Sequence, residues 1–146
     1  MPSKPTFKDK SSFTNQPYVK RVEKPWGYEI HWVPEGMSYM GKMLHIDAGR
    51  RMSLHIHDKR QETYFLLNGE CNLLIENTKG ELETIKMEKG VSYTIVIGQK
   101  HRHEAVTDCD VMEASMPEVG TTWRIEDDYS RPNETPEQRK KERGEK

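Results

Sequence analysis

Short runs rich in apolar, β-branched and aromatic residues recur along most of this chain, and in part of them apolar and polar positions alternate with the period of two of a strand. The runs cover residues 28–32, 39–46, 52–57, 62–67, 71–75, 83–87, 91–97, 101–106 and 111–116. Turn chemistry separates them: Pro34-Glu35-Gly36, Asp47-Ala48-Gly49, Asn68-Gly69, Lys79-Gly80, Lys89-Gly90 and Thr107-Asp108. Such segments, recurring every eight to twelve residues or so, predict a sandwich or barrel. Asn68-Gly69 lies between two strongly apolar runs and predicts a two-residue hairpin, since both residue types tolerate positive φ. No helix is expected before the C-terminal tail, and no repeat of solenoid length appears.

Many short strands with no covering helices call for closure, because an open sheet leaves unpaired edges. The expected fold is therefore an all-β barrel or jelly roll. In the run 52–57, Ser53, His55 and His57 share one face, and Met52, Leu54 and Ile56 share the other. This places a polar face inside and an apolar face against a second sheet or a second subunit. A homodimer follows as an expectation.

Length and charge narrow the picture. The 146 residues suit one domain. They divide into a polar arm over 1–20, the barrel over 21–131, and a charged tail over 132–146 that is expected to be solvated. The net charge of −1, with signs interspersed, argues against a nucleic-acid partner. No apolar stretch reaches membrane-spanning length, and the N-terminus carries no hydrophobic signal core. Only two cysteines occur, Cys71 and Cys109. They read as reduced hydrophobic filler in a cytoplasmic protein.

The candidate chemistry lies between Gly49 and Gly69. His55 and His57 project from one strand face, and Glu62 opens the next run, so that all three can converge on one point. Two imidazoles and a carboxylate form a common set of ligands for a divalent transition metal. A second pair, His101 and His103, follows the run VSYTIVIG. His45 reads as structural, and His31 as a surface residue without a partner.

The spacing of Gly49, His55, His57, Glu62 and Gly69 resembles the first cupin motif at every fixed position. Residues 90–105 resemble the second, through Gly90, Gly98 and His101. Val96 stands where that motif usually has proline, and Ala105 where it often has asparagine. The resemblance implies a cupin-type double-stranded β-helix. It also implies a metal held by His55, His57, Glu62 and His101, the ion being zinc, manganese, iron, nickel or cobalt. Up to two coordination positions then remain for substrate or water.

A longer span, from about Glu23 to Arg131, is similar to the cupin domain of type II mannose-6-phosphate isomerases. It carries KPWG at 24–27, Lys42, Arg51 and Ser53, Arg60 ahead of Glu62, and a closing WRIEDDYSR at 123–131. The family usually has glutamine at the position of His55, and histidines at Asp58-Lys59. No nucleotidyltransferase segment accompanies the match. The resemblance implies a small-molecule substrate, a phosphorylated sugar, and aldose–ketose isomerisation. That reaction moves a proton between adjacent carbons through an enediolate. His103 or Glu113 is the candidate base. Lys42, Arg51, Arg60 and Arg124 are candidate phosphate ligands. Alternatively, the closing segment is a clasp in which Arg124 and Asp127 or Asp128 form ion pairs over the barrel. Two other functions fit the same ligands: an iron-dependent dioxygenase, and a sugar- or small-molecule-binding cupin without catalysis.

Overall fold

The computed structural model describes residues 1–3 and 9–146. In chain order its elements are β1 (Lys20–Lys24), β2 (Gly27–His31), β3 (Met40–Ile46), β4 (Leu54–His57), β5 (Glu62–Asn68), β6 (Cys71–Glu76), β7 (Leu82–Lys86), β8 (Ser92–Ile95), β9 (His101–Ala105), β10 (Cys109–Ser115), β11 (Thr122–Glu126) and α1 (Pro136–Glu142). Two antiparallel sheets result, one in the order β1-β2-β3-β10-β5-β8 and the other β11-β4-β9-β6-β7. This is the jelly-roll barrel expected from the strand pattern, and the nine predicted runs correspond to β2–β10.

Along the inward rows, residue type changes with height. β3 presents Lys42, Leu44 and Ile46; β10 presents Glu113, Val111 and Cys109; β5 presents Glu62, Tyr64 and Leu66, and all nine are buried. Register sets Lys42 opposite Glu113 and Leu44 opposite Val111. It sets Tyr64 opposite Glu113 and Leu66 opposite Val111. Every row therefore turns from charged to apolar in the same direction. The apolar end, with Leu73, Met87, Ile95 and Ala105, forms the core. The charged end becomes a cavity whose floor is that core.

Two strands escaped the sequence pattern. β1 buries only Val22. β11 buries Thr122 while Trp123 and Ile125 stay exposed, the reverse of the expected order. Met52 also departs from expectation. It lies in the core and not on the outer face with Leu54, because the strand begins only at Leu54.

The Asn68-Gly69 turn is not a hairpin. β5 and β6 belong to different sheets, so the turn carries the chain from one sheet to the other. Type I′ geometry needs positive φ at both central residues. Here only Gly69 has it, at 84°. A Cβ at Gly69 would lie 2.1 Å from the Asp108 carbonyl oxygen, so the crossing requires glycine for space as well as for φ. The hairpin of this region is β6–β7, which turns through Gly80.

The charged C-terminal run is not a solvated end. Thr135 accepts a hydrogen bond from the Gln138 amide and caps α1, with Pro136 in the first turn. Arg139 is buried, and its guanidinium donates to Glu134 and to the carbonyl of Gly120. Buried ion pairing folds back a segment whose alternating charges gave no apolar periodicity.

Candidate metal centre

Adjacent strands bring the four proposed ligands together. His55 and His57 extend from β4, His101 is the register partner of His55 on β9, and Glu62 opens β5 from the opposite sheet. All four are buried. His55, His57 and His101 each offer a ring nitrogen, and the three nitrogens lie within 4.8 Å of one another. Glu62 reaches two of them: its Oε1 is 2.9 Å from His57 Nε2, and its Oε2 is 3.3 Å from His101 Nε2.

The far side of each ring is held by the protein. His55 Nδ1 donates to the Ser53 carbonyl at 2.9 Å, and His101 Nδ1 donates to the Gln99 carbonyl at 2.9 Å. A carbonyl only accepts, so both protons sit on Nδ1 and both Nε2 lone pairs are free. His57 Nδ1 lies 2.9 Å from the Thr122 hydroxyl, which can accept its proton, and 3.3 Å from Arg60 Nε, which can only donate to it, so this ring's tautomer is set by which of the two prevails. The Nε2 atoms of His57 and His101 are buried without a hydrogen-bond partner. Leaving such nitrogens unsatisfied costs stability unless something else uses the lone pairs. Two ligand atoms bound at right angles to one metal ion stand about 3 Å apart. The spacings to Glu62 match that value, so the residues present fit a divalent cation.

The electrostatics agree. Burial pushes the His55 pKa well below its ordinary value and that of His57 to about 4, keeping both rings neutral as ligands require. Burial alone would raise Glu62, but the close approach of the His101 and His57 rings and the charge of Arg60 hold it well below the usual carboxylate range. The Tyr64 hydroxyl donates to Glu62 Oε2 and fixes the carboxylate plane.

Above this cluster opens a cavity of about 60 Å³. His55, His57 and Glu62 line it, and Trp26, Leu44, Met52 and Tyr64 form its apolar wall. Apart from Ser53 and Thr122, its remaining lining is charged. Counting Glu62, five carboxylates (Glu29, Glu62, Glu113, Glu118, Glu134) face five cations (Lys24, Lys42, Arg60, Arg124, Arg131). The protein's own charges thus balance, and a bound dication would leave the cavity positive.

The structure separates the other predicted residues. Glu113 lines the cavity beside the Ser115 hydroxyl, 2.9 Å away. Burial, reinforced by the charge of Glu62, raises its pKa to about 7. Arg60 is buried in the wall, and its Nη1 has no hydrogen-bond partner. Lys42 is there too, but its ammonium is taken by Glu118 at 2.9 Å and Glu29 at 3.4 Å. Arg124 reaches the wall with its guanidinium spent on Glu134, Glu142 and the Pro132 carbonyl. It acts as a clasp, although its partners are not Asp127 or Asp128, which pair with Arg131 and Arg51. Arg51 does not line the cavity and is 39% exposed, gripping Asp128 and Glu104. His103 is also not in the wall. It is sealed in the core with its ring edge-on to Tyr64, and neither nitrogen has a partner. His45 stacks on Tyr28 and pairs with Asp110, away from the cavity. His31 is not a surface residue; it is buried 2.8 Å from Glu29.

Sequence reading missed Lys24, Glu29, Thr122, Glu118 and Glu134. For Lys24, the KPWG match was the available signal. Glu118 and Glu134 sit in connecting segments among other charges, and no periodicity distinguishes them.

Comparison with known proteins agrees with this architecture. The family model described as "Mannose-6-phosphate isomerase C-terminal" matches residues 11–132. Among solved structures, oxalate decarboxylase from Bacillus subtilis superposes with a TM-score of 0.65 at 15% identity, covering 80% of this chain and 34% of that one. The capsular polysaccharide assembling protein CapF from Staphylococcus aureus gives 0.63 at 14% identity, covering 81% and 34%. KdgF from Halomonas sp. gives 0.58 at 16% identity, covering 70% and 89%. The chain thus spans about a third of the oxalate decarboxylase and CapF chains. No curated protein sequence matched.

Proposed function

Since the chain belongs to the mannose-6-phosphate isomerase C-terminal family, of cupin fold, we propose that it is a metal-dependent isomerase of a phosphorylated sugar. The observation that carries this reading is the joint placement of three groups in one cavity. They are a ligand cluster fit for a divalent cation, a carboxyl with a near-neutral pKa in Glu113, and a buried guanidinium nitrogen on Arg60 that makes no hydrogen bond.

His55, His57, Glu62 and His101 would hold the metal, which supplies Lewis-acid stabilisation of negative charge developing on substrate oxygens. Glu113 takes a proton from one substrate carbon and returns it to the neighbour. A carboxyl with a pKa near 7 can do both at neutral pH. Arg60 Nη1 donates to the substrate anion. The apolar wall of Trp26, Leu44, Met52 and Tyr64 limits water around the exchanging proton. His103, sealed in the core, has no path to a substrate carbon, which favours Glu113 as the base.

A cavity whose own charges balance, and which becomes positive with a dication, favours an anionic ligand. That supports a sugar phosphate over a neutral sugar. The protein also presents an apolar row on its outer face, Ile30, Met43, Met112 and Phe65, each the register partner of the next. This row supports the homodimer as part of the proposal.

Metal analysis of protein purified without an affinity tag, followed by a screen of hexose and pentose phosphates for isomerisation, tests the reading. Metal occupancy with isomerisation of at least one sugar phosphate is expected. Oxygen consumption by the iron-loaded protein without isomerisation would favour the dioxygenase. Saturable sugar binding without turnover would favour a binding protein.

A further inference from the structure

The cavity wall is braced from outside by the C-terminal helix. Three wall residues, Glu118, Arg124 and Glu134, are each tied to it. Arg143, the C-cap of α1, grips Glu118 with two nitrogens at 2.9 and 2.6 Å. Glu142 receives both Nη atoms of Arg124 at 2.8 Å. Arg139 donates to Glu134 at 2.9 Å and to the Gly120 carbonyl at 3.1 Å. Glu118 faces inward as well, 2.9 Å from Lys42 and 3.7 Å from Arg60. One carboxylate therefore joins the helix to the cations beside the metal cluster.

The attachment is polar throughout. The only buried residue of α1 is Arg139. Seven residues are too few for a helix to persist alone in water, so α1 depends on these ion pairs. Its packing is loose. A space of about 300 Å³ lies between it and the loop after β2, bounded by Pro34, Met37, Tyr39, Pro117 and Pro136. Few apolar contacts and an incompletely filled contact surface are the marks of a segment that opens below the global unfolding free energy.

We propose that α1 and the residues after it form a charge-latched strap over the metal cavity, with the Glu118–Arg143 pair as the latch. Closed, the strap holds Glu118, Arg124 and Glu134 against the site and keeps the cavity too narrow for a sugar phosphate to enter. Opening admits ligand, and reclosure returns Glu118 to Lys42 and Arg60. Glu118 is thus a positioning residue. The strap rests on the metal reading above for its purpose, but not for its existence.

The test uses the full chain loaded with cobalt(II), and measures the rate at which excess EDTA removes the ion. In Arg143→Ala, removal should be at least roughly tenfold faster, because the latch is lost and the opening equilibrium shifts. Equilibrium cobalt affinity and melting temperature should stay close to wild type, since Arg143 touches no proposed ligand. Arg143→Lys should restore part of the slow rate. Equal removal rates in wild type and Arg143→Ala would overturn the strap. If wild type binds no cobalt, the metal reading fails separately, and amide hydrogen exchange over residues 139–143 decides the strap. Exchange over α1 markedly faster than over β9 supports it; protection equal to that of β9 refutes it.

Discussion

Thr122 and His57 are register partners across β11 and β4, and the Thr122 hydroxyl lies 2.9 Å from His57 Nδ1. The hydroxyl can accept the Nδ1 proton and so free Nε2 for a metal, in competition with Arg60 Nε, which donates to the same Nδ1 from 3.3 Å. A group behind a ligand fixes its tautomer and aim, and its loss typically costs tenfold to a hundredfold in metal affinity. Thr122→Val should therefore weaken metal binding by about ten- to a hundredfold while preserving the fold. His57→Ala should remove most of the bound metal. Competitive titration against a chromogenic chelator measures the first effect, and elemental analysis the second. Full metal occupancy in His57→Ala would count heavily against the assigned ligands.

Glu113 is assigned the proton transfer. Glu113→Gln keeps the shape and removes the base, so turnover should fall by about a hundredfold or more with metal content unchanged. Its pKa of about 7 is raised from 4.5, so the carboxylate form needed for proton abstraction grows as pH rises toward 7. A bound dication moves that limb to lower pH. The wild-type profile of kcat/KM should show this acid limb, and the residual activity of Glu113→Gln should lack it. An unchanged limb in the variant would assign the base elsewhere.

Arg60 and Arg51 separate a cavity cation from a surface clasp. Arg60 Nη1 is buried without a hydrogen-bond partner, 3.7 Å from Glu118, whereas Arg51 is satisfied by Asp128 and Glu104 outside the cavity. Arg60→Ala should raise KM for a sugar phosphate by about tenfold to a hundredfold, the range of a charge-assisted hydrogen bond. Arg51→Ala should leave KM within about twofold and cost no more than roughly 1 kcal/mol of stability, as expected for an exposed pair. Initial-rate kinetics on the two variants side by side, with thermal melts, make the comparison.

The legible parts of this molecule were those where chemistry and periodicity coincide. His55 and His57 alternate with Leu54 and Ile56, so strand, inward face and ligand type all came from six residues. Glu62 followed because it opens a strongly β run, and His101 because it follows one and matches the second cupin motif. β1 and β11 were illegible for the opposite reason. An edge strand such as KRVEK buries one side chain, and in TWRIE the large apolar residues face outward. Asn68-Gly69 misled because a glycine required for a sheet crossing looks the same as one required for a hairpin. Glu118 and α1 were invisible because ion pairing between distant charged segments leaves no local pattern.

His103 supplies a prediction about stability. Burial lowers its pKa to about 3, so the folded, metal-free protein keeps the ring neutral where the unfolded chain has already taken a proton near pH 6.5. The unfolded state then binds more protons, and stability must fall as pH drops from 6.5 toward 3. The slope for one such histidine reaches about 1.4 kcal/mol per pH unit. His55, lowered well below its ordinary value, and His57, lowered to about 4, add contributions of the same sign. A phenylalanine at position 103 carries no proton in either state and suits the edge-on contact with Tyr64. In metal-free protein, His103→Phe should therefore melt less steeply with acidification between pH 6.5 and 4, gaining most over wild type at the acid end. Melting curves of both proteins at matched ionic strength across that interval measure the difference. Parallel curves would mean that the His103 ring meets a proton, or a partner, inside the folded barrel.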